Sequence, residues 1–197
     1  LNRNPWSREE LIYALSLYFK IPFGKLHSTN PEMIAAAKLL GRTPASVSMK
    51  LCNFARFDPS HMARNVKGLG HGGKLDESIW QEFYGEWELL AVESHRLGAD
   101  LSRNLPPLLL QGGTKGGLDS SRPTETVAEA KQRIGQDFFR RLVLSNFNYS
   151  CAITGVSIPS LLIASHIIPW AKDATKRVNP SNGICLTALH DNVARRK

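Results

Sequence analysis

Along the first 58 residues, apolar positions recur every three or four residues and are broken at regular points, as in a series of short helices. Ser7 followed by Glu10 forms a capping box, and Leu11, Ala14, Leu15 and Tyr18 behind it fall on one apolar stripe. Pro22 and Gly24 break that run. Asn30-Pro31 opens a second helix that stops at Gly41, and Thr43-Pro44 opens a third that ends before Asp58-Pro59. Residues 60–75 are Gly-rich and basic, contain His61 and His71, and read as a loop. From 76 to 96 helical spacing returns in one continuous helix. Its Ile79, Phe83, Trp87, Leu90 and Ala91 share a side and read as core, not as a platform for stacking bases.

Residues 98–123 carry Pro106-Pro107, Gly112-Gly113, Gly116-Gly117 and a pair of serines, and read as a linker. A long helix rich in Ala, Glu, Lys and Arg follows over 124–145. The pattern then changes. CAITG is a short strand-like run ended by Gly155, and 161–168 is a second, more apolar strand with His166 inside it. A polar loop, Asn182-Gly183, the apolar ICLTAL and His190-Asp191 come after. The expected division is a helical module at 1–97, a linker at 98–123 and a second domain at 124–197.

Composition narrows the function classes. A chain of 197 residues allows one or two domains, and 42% hydrophobic with 21% charged residues is too apolar for wholesale disorder. Lys and Arg outnumber Asp and Glu by 25 to 17, for a net +8, which fits a polyanionic partner but is a weak signal alone. No apolar run approaches the roughly 20 residues that span a bilayer, so a membrane role is not expected. No signal peptide is read, and a cytoplasmic location is the expectation, although the chain opens on Leu1 and not on Met. Cys52, Cys151 and Cys185 form no CxxC pair, which argues against a four-thiolate zinc site or a disulfide framework and for buried thiols.

The three N-terminal helices, with Gly-Arg-Thr-Pro before the last, resemble a helix-turn-helix or Myb-like module. Such a module sets its third helix in the major groove of DNA. Its outward donors would be Arg42, Ser46, Ser48, Lys50, Asn53 and Arg56. The alternative is a plain three-helix packing domain with a polar outer face.

The C-terminal stretch RIGQDFFRRLVLSNFNYSCAITGVSIPSLLIASHIIPWAKDATKRVNPSNGICLTALHD resembles the HNH domain of bacterial restriction-type endonucleases. The resemblance rests on ordered motifs: Gly-Gln-x-Phe-Phe-Arg, Cys-x-x-Thr-Gly, Ser-His-x-x-Pro-Trp, Asn-Gly-x-x-Leu and a terminal His-Asp. It implies an α+β chain, an N-terminal helical bundle followed by a ββα-metal nuclease motif. It also implies hydrolysis of DNA phosphodiester bonds, with a role in restriction or defence against foreign DNA. His166 would be the general base and Asn182 the residue that orients its imidazole. An imidazole suits that task, since its pKa of about 6.5 leaves it able to accept a proton at neutral pH.

The third family element falls about nine residues after the Asn, which selects Asp191 as metal ligand and keeps His190, at eight, as the alternative. Ser165 stands where the family often has an acidic or imidazole ligand, so the ion would be loosely held. A carboxylate favours Mg²⁺; Mn²⁺, Ni²⁺ and Zn²⁺ are the alternatives, and no small-molecule cofactor is expected. Arg133, Gln136 and Arg140 upstream, and Lys172, Lys176 and Arg177 beside the base, would contact DNA. Cutting both strands needs two active sites, so a homodimer is expected.

One departure bears on activity. Family members continue from His-Asp into Ala-Phe-Asp-x-Gly-Leu, whereas this chain reads NVARRK, with Ala194 and Arg195 in place of the Phe and Asp. The α element is then short: the form is truncated or altered, or a partner subunit completes it. Two other readings follow, a DNA-binding protein with a degenerate nuclease fold, or an effector nuclease governed by a sensor domain outside this sequence.

Overall fold

A computed structural model describes residues 5–63, 73–103 and 126–194. His71, residues 104–123 of the expected linker and Arg195 lie outside them. In chain order the elements are α1 (Arg8–Lys20), α2 (Pro31–Leu39), α3 (Pro44–Phe54), α4 (Pro59–Met62), α5 (Lys74–Phe83), α6 (Trp87–Arg103), α7 (Val127–Asn146), β1 (Leu162–His166), β2 (Gly183–Thr187) and α8 (Ala188–Ala194). The molecule is α+β, helical throughout its first part with a two-stranded antiparallel sheet near the C-terminus.

The helices begin where the sequence places their caps. Ser7 and Glu10 form the capping box of α1, Asn30 caps α2 with Pro31 in its first turn, and Thr43 caps α3 ahead of Pro44. Each cap satisfies an amide that has no partner inside its helix. Gly41, at φ 61°, ends α2: its N–H reaches the Lys38 carbonyl and that of Arg42 the Ala37 carbonyl. This wrapped C-terminus suits a residue without a Cβ.

Three expectations about elements are corrected. The helix read as continuous over 76–96 is two helices, because Gly85 takes φ 97° and the chain turns between α5 and α6. The second of them runs to Arg103, six residues into the stretch read as linker. CAITG is a turn and not a strand: Cys151 N–H donates to the Val156 carbonyl and Gly155 N–H to the Cys151 carbonyl, each at 2.9 Å, with Gly155 at φ 70°. The turn also seats a thiol. The Thr154 hydroxyl, with the amides of Thr154, Ile153 and Thr187, holds Cys151 down to about 6. All three cysteines are free, with Cys151 and Cys185 buried.

α7 joins the two halves of the core. Its neighbours Phe138 and Phe139 lie about 100° apart around the helix and are both about 2% exposed. Phe138 faces α1, where the Lys20 ammonium sits 4.8 Å from its ring centre, and Phe139 faces the sheet. Full burial of such a ring is worth roughly 1.5–3 kcal/mol, so α7 is fastened on two sides. An Arg141–Glu32 ion pair to α2 and a Lys131–Glu88 pair at 3.1 Å to α6 add polar links.

Candidate active site

β1 and β2 pair antiparallel with Leu162 opposite Thr187 and His166 opposite Gly183. Side chains alternate along a strand, so Leu162, Ala164 and His166 share one face with Cys185 and Gly183. That face meets α7. A Cβ on Gly183 would lie 2.8 Å from Phe139 Cζ and would also strike Val143. The missing side chain therefore lets α7 close over the strand end that carries His166.

The imidazole of His166 is held on three sides. Its ring stacks on Phe139, centroids 3.8 Å apart and planes 9° from parallel. Trp170 meets it edge-on at 5.6 Å. Its Nε2 lies 2.8 Å from the backbone carbonyl of Arg177. A carbonyl oxygen only accepts, so Nε2 carries the proton and, in the neutral ring, Nδ1 holds the lone pair. Nδ1 is the atom that can take a proton from water.

Asn182 makes no hydrogen bond to the imidazole among the described residues. Its side chain clasps the loop behind it: Oδ1 accepts from the Ile168 amide at 2.7 Å, and Nδ2 donates to the carbonyls of Ile168 at 3.0 Å and Lys176 at 3.1 Å. Its own carbonyl accepts from the Ile167 amide at 2.9 Å. Of the two bonds expected across the hairpin, side-chain or backbone, the backbone one is present, to Ile167 beside His166, while the side chain acts on the ring indirectly through the loop. Asn182 fixes the segment between Ile168 and Lys176, and Arg177, next in the chain, supplies the carbonyl that fixes the ring. Arg177 is itself braced, its Nε donating to the Trp170 carbonyl at 3.0 Å.

Ser165 and Asp191 are both about 5% exposed, whereas His190 is half-buried with Nδ1 2.7 Å from the Thr187 hydroxyl. Adjacent positions on α8 do not face the same way, so Asp191 and His190 point in different directions. Among the described residues no three His, Cys, Asp or Glu side chains gather closely enough to hold a metal ion. This donor set does not fit a zinc site with three protein ligands. A carboxylate such as Asp191 is the ligand type that Mg²⁺ takes, one or two at a time, with water and substrate phosphate in the rest of its shell.

The expected DNA contacts divide. Lys172 and Lys176 are exposed, Lys176 at 3.6 Å from Asp173. Arg133 and Gln136 are exposed on α7, and Arg140, one turn on, donates to the Leu162 carbonyl of β1 at 2.9 Å. On α3 the outward orientation is corrected for most positions. Arg42 pairs with Glu10 at 2.7 Å, its side chain 8% exposed and its guanidinium 4.2 Å from the Trp6 ring centre. Lys50 pairs with the buried Asp76 at 2.9 Å. The Ser48 hydroxyl donates to the Leu26 carbonyl, and Asn53 is buried. Arg56 lies over the Phe57 ring at 4.4 Å, and Ser46 receives the Thr43 cap through its amide.

Phe139, Trp170, Gly183 and the Arg177 carbonyl are site elements that the sequence reading did not single out for the base. The Phe-Phe of the α7 motif and the Trp after Ser-His-x-x-Pro were the available signals.

No curated protein matches the chain, and no solved structure does. Residues 151–193 match the HNH endonuclease family, a span that opens at the Cys151 turn, contains His166 and Asn182 and ends within α8. Residues 151–193 thus carry an HNH endonuclease domain, which supports a nuclease acting on nucleic acid.

Proposed function

We propose that the chain is a divalent-metal-dependent DNA endonuclease that hydrolyses phosphodiester bonds, in restriction or defence against foreign DNA. The observation that carries the reading is the His166 imidazole, fixed by the Arg177 carbonyl so that Nδ1 is left as a base, within a segment that matches the family. Nδ1 takes the proton of the attacking water. Phe139 and Trp170 keep the ring from rotating, so the lone pair holds one direction. Asn182 acts as a positioning residue through the loop. Asp191 would hold the ion, with His190 as the alternative ligand and Ser165 as a weaker donor; the ion, when bound, would neutralise charge on the phosphate and leaving oxygen. Lys172 and Lys176 attract the backbone beside the base, and Arg133 and Gln136 extend that cationic and polar edge.

The N-terminal helices are read as the DNA-positioning module. The buried pairing of Arg42 and Lys50 favours contact through other surfaces than those two side chains. A homodimer is the arrangement that cuts both strands.

The test is incubation of end-labelled duplex DNA and of RNA of the same sequence, with Mg²⁺, with Mn²⁺ and with EDTA. Metal-dependent cleavage of the DNA is expected. Cleavage that persists in EDTA, or of RNA alone, contradicts the proposal.

A further inference from the structure

A second surface, at the C-terminal end of α7, has the chemistry of a nucleotide site. A groove of about 630 Å³ runs between the segment joining α1 to α2 and the turn that follows α7. Lys25, His27, Asn148, Tyr149 and Ser157 line it. Grooves of some 300–1,000 Å³ take a molecule of nucleotide size.

The backbone at its wall is unusual. Asn148 and Tyr149 have φ of 51° and 56°, consecutive residues in the left-handed region. Asn tolerates that region; a tyrosine there is rare and costs energy that other contacts must offset. The conformation sets the half-buried Tyr149 ring against the Lys25 ammonium, 5.4 Å from the ring centre. Among the described residues Lys25 has no carboxylate partner. Glu32, the acid in the lining, is paired with Arg141. His27 Nδ1 is engaged with the Thr29 hydroxyl at 2.8 Å, which leaves Nε2 for a ligand.

We infer that this groove binds an unpaired nucleotide of the nucleic-acid strand, its base on the Tyr149 ring and its phosphate at Lys25 and His27. The Lys25 ammonium lies over the Tyr149 ring; drawn off to a phosphate, it leaves the ring face to the base, so the pair supplies both contacts that a nucleotide needs. The position agrees. From Phe139, under His166, to Asn146 at the end of α7 is about 10 Å along the helix, or about three nucleotide steps at 3.4 Å. The inference rests on the reading of the chain as a nuclease of DNA but concerns binding, so the two fail separately.

The experiment measures anisotropy of a labelled single-stranded oligonucleotide in EDTA, with the full chain carrying His166→Ala, over a salt series. Lys25→Gln is expected to weaken binding several-fold and to reduce the salt slope by about 0.7, one phosphate contact on a single strand. Tyr149→Leu is expected to weaken it roughly tenfold, as loss of one stacked base does. Arg103→Gln, at the exposed end of α6 and outside the groove, should leave the slope as it was. Lys25 sits on the surface, so its variant reports even if Tyr149→Leu perturbs the turn. Wild-type affinity and slope in Lys25→Gln would overturn the proposal, even with cleavage intact. Lys25-dependent binding by a chain that fails to cleave would support it and count against the nuclease reading alone.

Discussion

His166 Nε2 lies 2.8 Å from the carbonyl oxygen of Arg177, eleven residues later in the chain. That bond puts the ring proton on Nε2 and leaves the lone pair on Nδ1, the atom assigned as base in the proposed reaction. The expected outcome is that the neutral His166 ring populates the Nε2–H tautomer, read from its ring nitrogens in ¹⁵N spectra of the folded protein. A dominant Nδ1–H form would contradict the assignment of Nδ1 as proton acceptor.

Asn182 makes three side-chain bonds to the loop while 6% exposed. Asn182→Ala leaves the Ile168 amide and two carbonyls without that partner, at a cost of about 2–4 kcal/mol, and should lower both the denaturant midpoint and the cleavage rate. Asn182→Asp is the sharper variant. Its carboxylate would face the Ile168 and Lys176 carbonyls, acceptor against acceptor, so its deficit relative to wild type should shrink on acidification as the group protonates. Equal deficits for Asp at pH 4 and pH 7 would count against this arrangement.

Strand β1 and the helix starts were legible in the sequence because they depend on neighbours, whereas the partner of β1, residues 183–187 and not CAITG, was not. Caps are read within three residues, and alternation within five. The direction of Arg42 and Lys50 was not legible, since their partners Glu10 and Asp76 lie 32 and 26 residues away. As types both are good donors to phosphate; only the tertiary packing sets carboxylates in front of them. The CAITG turn misled for a related reason. Its apolar residues read as strand, but bonds from Cys151 to Val156 and from Gly155 to Cys151 close the run into a turn, from which Ala152 donates to the Cys185 carbonyl of β2 at 2.8 Å. The break between α5 and α6 had a signal in Gly85, which an otherwise unbroken apolar stripe concealed.

The Arg42–Glu10 pair gives a stability prediction. With side chains 8% and 17% exposed, the pair is largely shielded from water, and removing one member strands the other. Arg42→Ala should cost about 3–5 kcal/mol in denaturant unfolding. DNA affinity measured well below the unfolding midpoint should change less than twofold. A large loss of affinity with stability unchanged would restore Arg42 to the DNA-facing surface.

Lys20 links stability to pH. Burial against α7, then the charge of Arg141, lowers its ammonium to about 7 from the ordinary 10.5, with Asp137 and Glu32 acting in the opposite sense. Between those values the unfolded chain holds a proton that the folded chain releases, so this group makes stability rise with pH from about 7 to about 10.5. Below about 7 its penalty is fully present. Lys20→Met should raise the Tm at pH 6–7, with the gain shrinking towards pH 10. A gain independent of pH would contradict a neutral buried amine.

The central claim is that His166 is the base of a nuclease site, and relaxation of supercoiled plasmid with Mg²⁺ or Mn²⁺ tests it most directly. Wild-type chain should nick and linearise the plasmid, and His166→Ala, with its fold checked by circular dichroism, should do so about 10²- to 10⁴-fold more slowly. Equal rates for the two would contradict the account.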